Sequence, residues 1–187
     1  MTHPVSTYLI KHGRYTESQL TLLEQTLETR YFTKNEILLD KGEVCSIVYF
    51  IERGCVFQYT ADEDAEITVI NLHGSNEWSF NHHSFTSRKP SESVIKARED
   101  TKTYSLTIEA IHGLIAQSQS FLQMGKILEE ITSRLVYYDK LQTPDEKYLH
   151  LLETRPELIQ KFPQKMIASY LKMTPETLSR VRGRIGK

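Results

Sequence analysis

Residues 162–187 read FPQKMIASYLKMTPETLSRVRGRIGK, and the interpretation of the chain starts there. Met166, Ile167, Tyr170 and Leu171 recur at three- and four-residue spacing, the mark of a helix with one apolar side, which the sequence predicts to begin near Pro163. Ala168 is small where a second helix must approach closely. Lys172-Met173-Thr174 then forms a turn. Thr174 supplies a capping hydroxyl, and Pro175 suits the first helical position, where a backbone N–H would have no helical partner. Leu178, Val181 and Ile185 give the second helix its buried stripe. The motif is helix, turn, helix.

The second helix turns Glu176, Ser179, Arg180, Arg182 and Arg184 outward. A helix fits the major groove of duplex DNA, where Arg bonds guanine O6 and N7 bidentately and Glu accepts from cytosine N4. Thr174, Thr177 and the backbone N–H groups of the opening turn suit phosphate oxygens. Charge distribution agrees with this reading. From Lys161 onward seven cations stand against one anion, a net +6, while the first 160 residues carry 16 cations and 23 anions, a net −7. A solvated basic helix has the same composition, so spacing alone leaves both readings open.

Upstream, Thr143-Pro144-Asp145-Glu146 combines a cap, a proline at the first helical position and a glutamate three residues past the cap. A helix carrying Tyr148, Leu149, Leu151 and Leu152 begins there and is expected to end before Pro156. Position 143 is therefore the expected domain boundary. Before it, SFLQMGKILEEITSRLVYYDKLQ (120–142) places Met124, Ile127, Leu128, Ile131, Leu135, Tyr138 and Leu141 on one stripe. Such a stripe meets a second copy in coiled-coil fashion or packs within its own chain. IEAIHGLIAQ (108–117) is also helical in pattern.

Between Ile37 and Leu106 the periodicity changes. EILLD, SIVYFIE, CVFQYT, EITVINL, SVIKARE and KTYSLT are short runs rich in β-branched and aromatic residues, which predicts an antiparallel β domain. Lys41-Gly42-Glu43, Arg53-Gly54 and Asp62-Glu63-Asp64 mark its turns. Residues 16–32 carry Leu20, Leu23 and Leu27 behind Thr16, a short amphipathic helix.

Composition narrows the function classes. An apolar fraction of 39% with 25% charged residues is that of a folded globular chain. The sequence has neither a leader pattern nor an apolar run long enough to span a bilayer, so the expected setting is cytoplasmic, without membrane association. Cys45 and Cys55 read as two reduced thiols, too few for a cysteine-rich metal or iron–sulfur site. No nucleophile elbow, P-loop, HExxH or dinucleotide fingerprint occurs, and no enzyme is expected. His82-His83, with His73 nearby, is weighed as a metal site and set aside, because adjacent strand residues face opposite ways.

IASYLKMTPETLSRVR resembles the helix-turn-helix of the Crp/Fnr regulators, and KGEVCSIVYFIERGCVFQYT resembles their cyclic-nucleotide-binding β-roll. The resemblance implies an α+β fold with three parts. These are an antiparallel β-roll sensor over 1–110, a long dimerisation helix within 111–142, and a helix-turn-helix domain over 143–187 lacking most or all of the family's β-hairpin wing. It puts Glu176 and Arg180 where the family reads bases. Met124, Ile127, Leu128, Ile131, Leu135 and Tyr138 then become the dimer interface. The implied partners are double-stranded DNA, a second copy of the chain, RNA polymerase and a small-molecule effector, with no cofactor and no metal.

The resemblance also exposes a departure. Phe80 and Asn81 fall where nucleotide-binding members carry a Gly-Glu pair, and Ser91 and Glu92 fall where they carry Arg-Ser. A cyclic phosphate would lose its arginine and face a carboxylate, so no response to cyclic AMP is expected. Arg88 and Lys89 are nearby cations, and Trp78, Phe80 and Phe85 are candidate walls for another ligand; the expected effector pocket is Trp78, Phe80, Asn81, Arg88, Ser91 and Glu92. The rival reading is a ligand-sensing or protein-interaction module of the same fold with a degenerate helix-turn-helix.

Overall fold

The computed structural model describes residues 3–64, 66–126, 140 and 143–185. Among these residues eight strands form two four-stranded antiparallel sheets, one ordered β1-β8-β3-β6 and the other β2-β7-β4-β5. The strands are β1 (Glu28–Phe32), β2 (Ile37–Leu39), β3 (Ile47–Arg53), β4 (Val56–Ala61), β5 (Ile67–His73), β6 (Trp78–Ser79), β7 (Val94–Ala97) and β8 (Thr101–Thr107). Six of them fall on the six β-rich runs. Between the sheets and their covering helices lies an apolar core that includes Phe50, Ile51, Trp78, Ile95 and Leu106.

Helices α1 (Pro4–His12) and α2 (Glu17–Thr26) cover one end of this core through Val5, Leu9 and Leu23. The helix expected over 16–32 is thus shorter. Thr16 caps it in a capping box with Gln19, but Leu27 is extended and residues 28–32 pair with β8. The leucine spacing continued the helical pattern past its end, whereas the partner strand that claims these residues, β8, begins only at Thr101.

Gly54 sits between β3 and β4 at φ +103°, a region that L side chains avoid. A Cβ there would also strike Thr101 Oγ1 and approach the Thr101 Cα to 2.7 Å and the Asp100 carbonyl to 2.9 Å. The turn needs glycine for both reasons.

After β8, α4 (Ile108–Gln117) begins on the Thr107 cap, and a 3-10 helix runs over Gln119–Met124. Met124, expected on the dimer stripe, is buried in the β-roll core of its own chain. Ile127, Leu128, Ile131, Leu135, Tyr138 and Leu141 lie outside the described residues. Four helices follow: α5 (Pro144–Thr154), α6 (Pro156–Lys161), α7 (Gln164–Tyr170) and α8 (Pro175–Ile185). Thr143 caps α5 in the expected capping box with Glu146, and α5 stops before Pro156.

Gly54→Ala is expected to lower the unfolding free energy by about 1–3 kcal/mol, read from urea denaturation. An unchanged midpoint would show that the turn tolerates a side chain.

Candidate functional site

The helix-turn-helix is built as its spacing predicts. Ile167, Ala168 and Tyr170 are buried on α7 and Leu171 directly after it, and Leu178 and Val181 are buried on α8. The turn is a Schellman-type closure, with Met173 N–H donating to Ala168 O at 2.9 Å and Lys172 N–H to Ser169 O at 3.0 Å. Lys172 takes the left-handed position at φ 56°, where glycine is usual. Thr174 Oγ1 then accepts from Thr177 N–H at 3.2 Å and starts α8.

On α8 the candidate contact residues divide. Glu176, Ser179 and Arg180 are exposed on one face, beside exposed Thr174, while Thr177 and Arg182 are half-buried. Arg180 Nη2 donates to Thr177 Oγ1 at 3.3 Å. The Glu176 carboxyl is held below the usual carboxylate range by its own backbone amide and the Thr174 hydroxyl, with the Arg180 charge adding to the effect. Arg184 is exposed but engaged: Nε and Nη2 grip Asp145 of α5 at 3.1 and 2.6 Å. Its role is to fasten the end of α8 to α5.

The six residues expected to share one effector pocket line two cavities. Phe80, Asn81, Ser91 and Glu92 border one of about 320 Å³, together with Gln58, His82, His83 and Ser93. It is strongly polar on one side. Asn81 Nδ2 donates to Ser91 Oγ at 2.8 Å and Ser93 Oγ at 3.0 Å, and Gln58 Nε2 donates to Ser93 Oγ at 2.7 Å. Among the described residues no lysine or arginine lines it.

Trp78, Phe80, Phe85 and Arg88 border the other cavity, of about 690 Å³, whose remaining walls come largely from α4 and the 3-10 helix. Sequence reasoning missed that second wall. Its residues, Ile108, Ile111, Ile115, Phe121 and Leu122, read as ordinary helix packing. Arg88 does not line the polar cavity, and its Nη1 donates to Cys45 O at 2.8 Å.

His82 and His83 open a short helix, α3 (His82–Ser87), rather than a strand. Among the described residues no group of three or more His, Cys, Asp or Glu side chains stands together in a way that would hold a metal ion. Cys45 and Cys55 are free and buried, and burial pushes the Cys55 thiol up to about 12.

Residues 29–118 match the cyclic nucleotide-binding domain family. Solved structures share the architecture. FixK2 from Bradyrhizobium japonicum superposes with a TM-score of 0.66 at 17% identity, over 86% of this chain and 84% of that one. The chain has the Crp/Fnr fold. A CooA mutant from Carboxydothermus hydrogenoformans gives 0.65 at 16% identity, over 95% and 82%. The catabolite activator protein of Thermus thermophilus gives 0.53 at 16%, over 91% and 84%. No curated protein sequence matches the chain.

Within this Crp/Fnr fold, the C-terminal helices are docked directly on the β-roll. Cys55, Phe57, Val69 and Leu72 share one apolar cluster with Tyr148, Leu151, Leu158, Phe162, Ile167 and Tyr170. β5 is an edge strand, and Ser169 Oγ of α7 accepts from its Val69 N–H at 2.9 Å. Unpaired edge groups of this kind otherwise invite another chain.

The docking turns on Arg155, only 6% exposed although it is an arginine. Its Nε and Nη2 bond Glu77 Oε1 and Oε2 at 2.8 and 2.6 Å, Nη2 also reaches the Leu72 carbonyl, and Nη1 reaches Tyr170 Oη at 3.2 Å. Glu77 additionally accepts from Gly74 N–H at 2.9 Å. A second tie is Lys161 Nζ, which bonds Gly54 O at 3.0 Å and Glu99 Oε1 at 2.9 Å and thereby holds the Glu99 carboxyl below its usual range. Sequence reasoning missed both ties. The available signal was the charge in LLETRPELI, flanked by apolar pairs.

Arg155→Met leaves Glu77 largely buried without its guanidinium and is expected to cost about 3–5 kcal/mol in urea denaturation. Adding Glu77→Met to the same chain should recover much of the loss, because the stranded charge is gone. Equal, additive losses would contradict a coupled pair.

Proposed function

We propose that the chain is a sequence-specific DNA-binding transcription regulator that acts as a homodimer and does not respond to cyclic AMP. The proposed division is a sensor over 1–110, a dimerisation region over 111–142 and a DNA-binding domain over 143–187. The observation that carries the reading is the exposed face of α8. Glu176, Ser179 and Arg180 project from a helix that buries Leu178 and Val181 on its other side and packs on α7, which Arg155 ties to the β-roll through Tyr170 and Glu77. Such rigidity lowers the entropy cost of inserting the helix into a groove. The net charge of +6 from Lys161 onward adds attraction for phosphate.

Arg180 and Glu176 are assigned to base edges, and Thr174 and Thr177 to phosphates. Ser179 and Arg182 flank these contacts. Arg184 contributes by holding α8 in place through Asp145. RNA polymerase is the expected downstream partner of such a regulator. Fluorescence anisotropy on labelled duplex tests the reading. Binding should weaken steeply and log-linearly as salt rises. On the tightest duplex, Arg180→Ala should cost about 1–3 kcal/mol and relax one base position. Equal loss on every sequence would make Arg180 a phosphate contact, and absence of duplex binding at low salt would favour the interaction-module reading.

The polar cavity explains the proposed indifference to cyclic AMP. Asn81, Gln58, Ser91 and Ser93 are already bonded to one another, and Glu92 brings a carboxylate to its rim. Bringing a phosphodiester there sets two negative charges together and breaks satisfied hydrogen bonds. Titration calorimetry with cyclic AMP should therefore show no binding heat at millimolar ligand. A micromolar isotherm would overturn the assignment.

A further inference from the structure

We propose that the larger cavity, between α3 and α4, is a binding site for an uncharged, largely apolar small molecule carrying one hydrogen-bond acceptor. The inference as a ligand site stands without DNA binding; only the ligand's role as an effector rests on the regulator reading.

Size and lining carry the argument first. About 690 Å³ lies within the range of roughly 300–1,000 Å³ typical of small-molecule pockets. The deep wall is Val48, Trp78, Phe80, Phe85 and Phe121, all buried, and α4 adds Ile111. These side chains brace one another: Phe80 meets Phe85 edge-on with centroids 5.4 Å apart, and Phe50 does the same to Trp78 at 5.3 Å. An apolar body therefore finds a rigid, preformed seat.

Charge at the rim selects the head group. The exposed residues bordering the cavity include Arg88, Glu109 and His112. The Glu109 carboxyl is held below its usual range by its own backbone amide and the Thr107 hydroxyl, with Arg88 adding its charge. Arg88 and Glu109 thus bring opposite charges to the same rim. An ionic ligand would pay desolvation without meeting net opposite charge, whereas a neutral carbonyl or ester accepts from the guanidinium without that penalty. Arg88 is positioned for this by its left-handed backbone at the end of α3 and its bond to Cys45 O.

The cavity is also connected. Trp78 and Phe80 follow Glu77, the residue that grips Arg155, within four positions of sequence. A ligand pressing on those two rings acts on the backbone beside Glu77, whose carboxylate ties the C-terminal helices to the β-roll through Arg155.

The chain has one tryptophan, and it lines this cavity, so binding can be read at the site itself. Uncharged N-phenyl-1-naphthylamine titrated into the full chain should quench Trp78 and gain sensitised emission, saturating at one probe per chain. Methyl decanoate should displace it, and the decanoate anion at the same concentration should not. Ile111→Phe, which fills the cavity, should weaken the probe about tenfold, and Glu92→Gln in the other cavity should leave it unchanged. Should Ile111→Phe lose its fold, Arg88→Gln supplies the second test, weakening methyl decanoate more than the probe. Linear, unsaturable quenching, or equal displacement by decanoate, would overturn the proposal. Saturable binding by a chain that binds no duplex would uphold the site and defeat the regulator reading. Duplex binding without probe binding would do the reverse.

Discussion

A single buried guanidinium organises this molecule. Arg155 joins the β-roll to the C-terminal helices by gripping both oxygens of Glu77, the carbonyl of Leu72 and the hydroxyl of Tyr170. A buried ion pair contributes modestly to net stability, because desolvation offsets much of its attraction. Its geometric demands are strict, however. The planar guanidinium satisfies these acceptors in one arrangement, so the apolar cluster around Phe57, Leu72, Leu158 and Phe162 closes in one register. Hydrophobic contact supplies the affinity between the two parts, and Arg155 supplies the orientation.

That orientation is what the proposed function requires. α8 packs on α7 and α5, α7 leans on the edge strand β5 through Ser169, and α6 is tied to the roll by Lys161. The exposed face of α8 is thus fixed relative to the β-roll. Among the described residues Phe80 borders both cavities, and it lies three positions after Glu77. The cavity walls and the placement of the C-terminal helices share a short stretch of backbone.

Much of this was legible from sequence where the signal is local. The cap at Thr143, the cap at Thr174, the turn at Lys172 and the glycine turns follow from rules spanning a few residues, and the structure has them in place. Six of eight strands showed in their composition. β1 and β6 did not, because one continues a helical leucine spacing and the other spans two residues. The candidate contact face was mostly readable, since solvent exposure follows helical period. The ion pair of Arg184 was not legible, because its partner, Asp145, lies 39 positions away. The effector pocket split in two for the same reason: Trp78 and Asn81 are three residues apart, and β-roll geometry sends them to different cavities. Long-range pairing is set by tertiary structure, and no local pattern carries it.

The central claim is that α8 reads sequence from a two-fold assembly. Selection of bound duplexes from a randomised library, sequenced after several rounds at physiological salt, tests it most directly. The account predicts an enriched near-palindrome whose half-sites lie about 34 Å apart, one helical turn, as two symmetric recognition helices require. Salt-sensitive binding that enriches no sequence would contradict it, leaving α8 as a basic surface without base recognition.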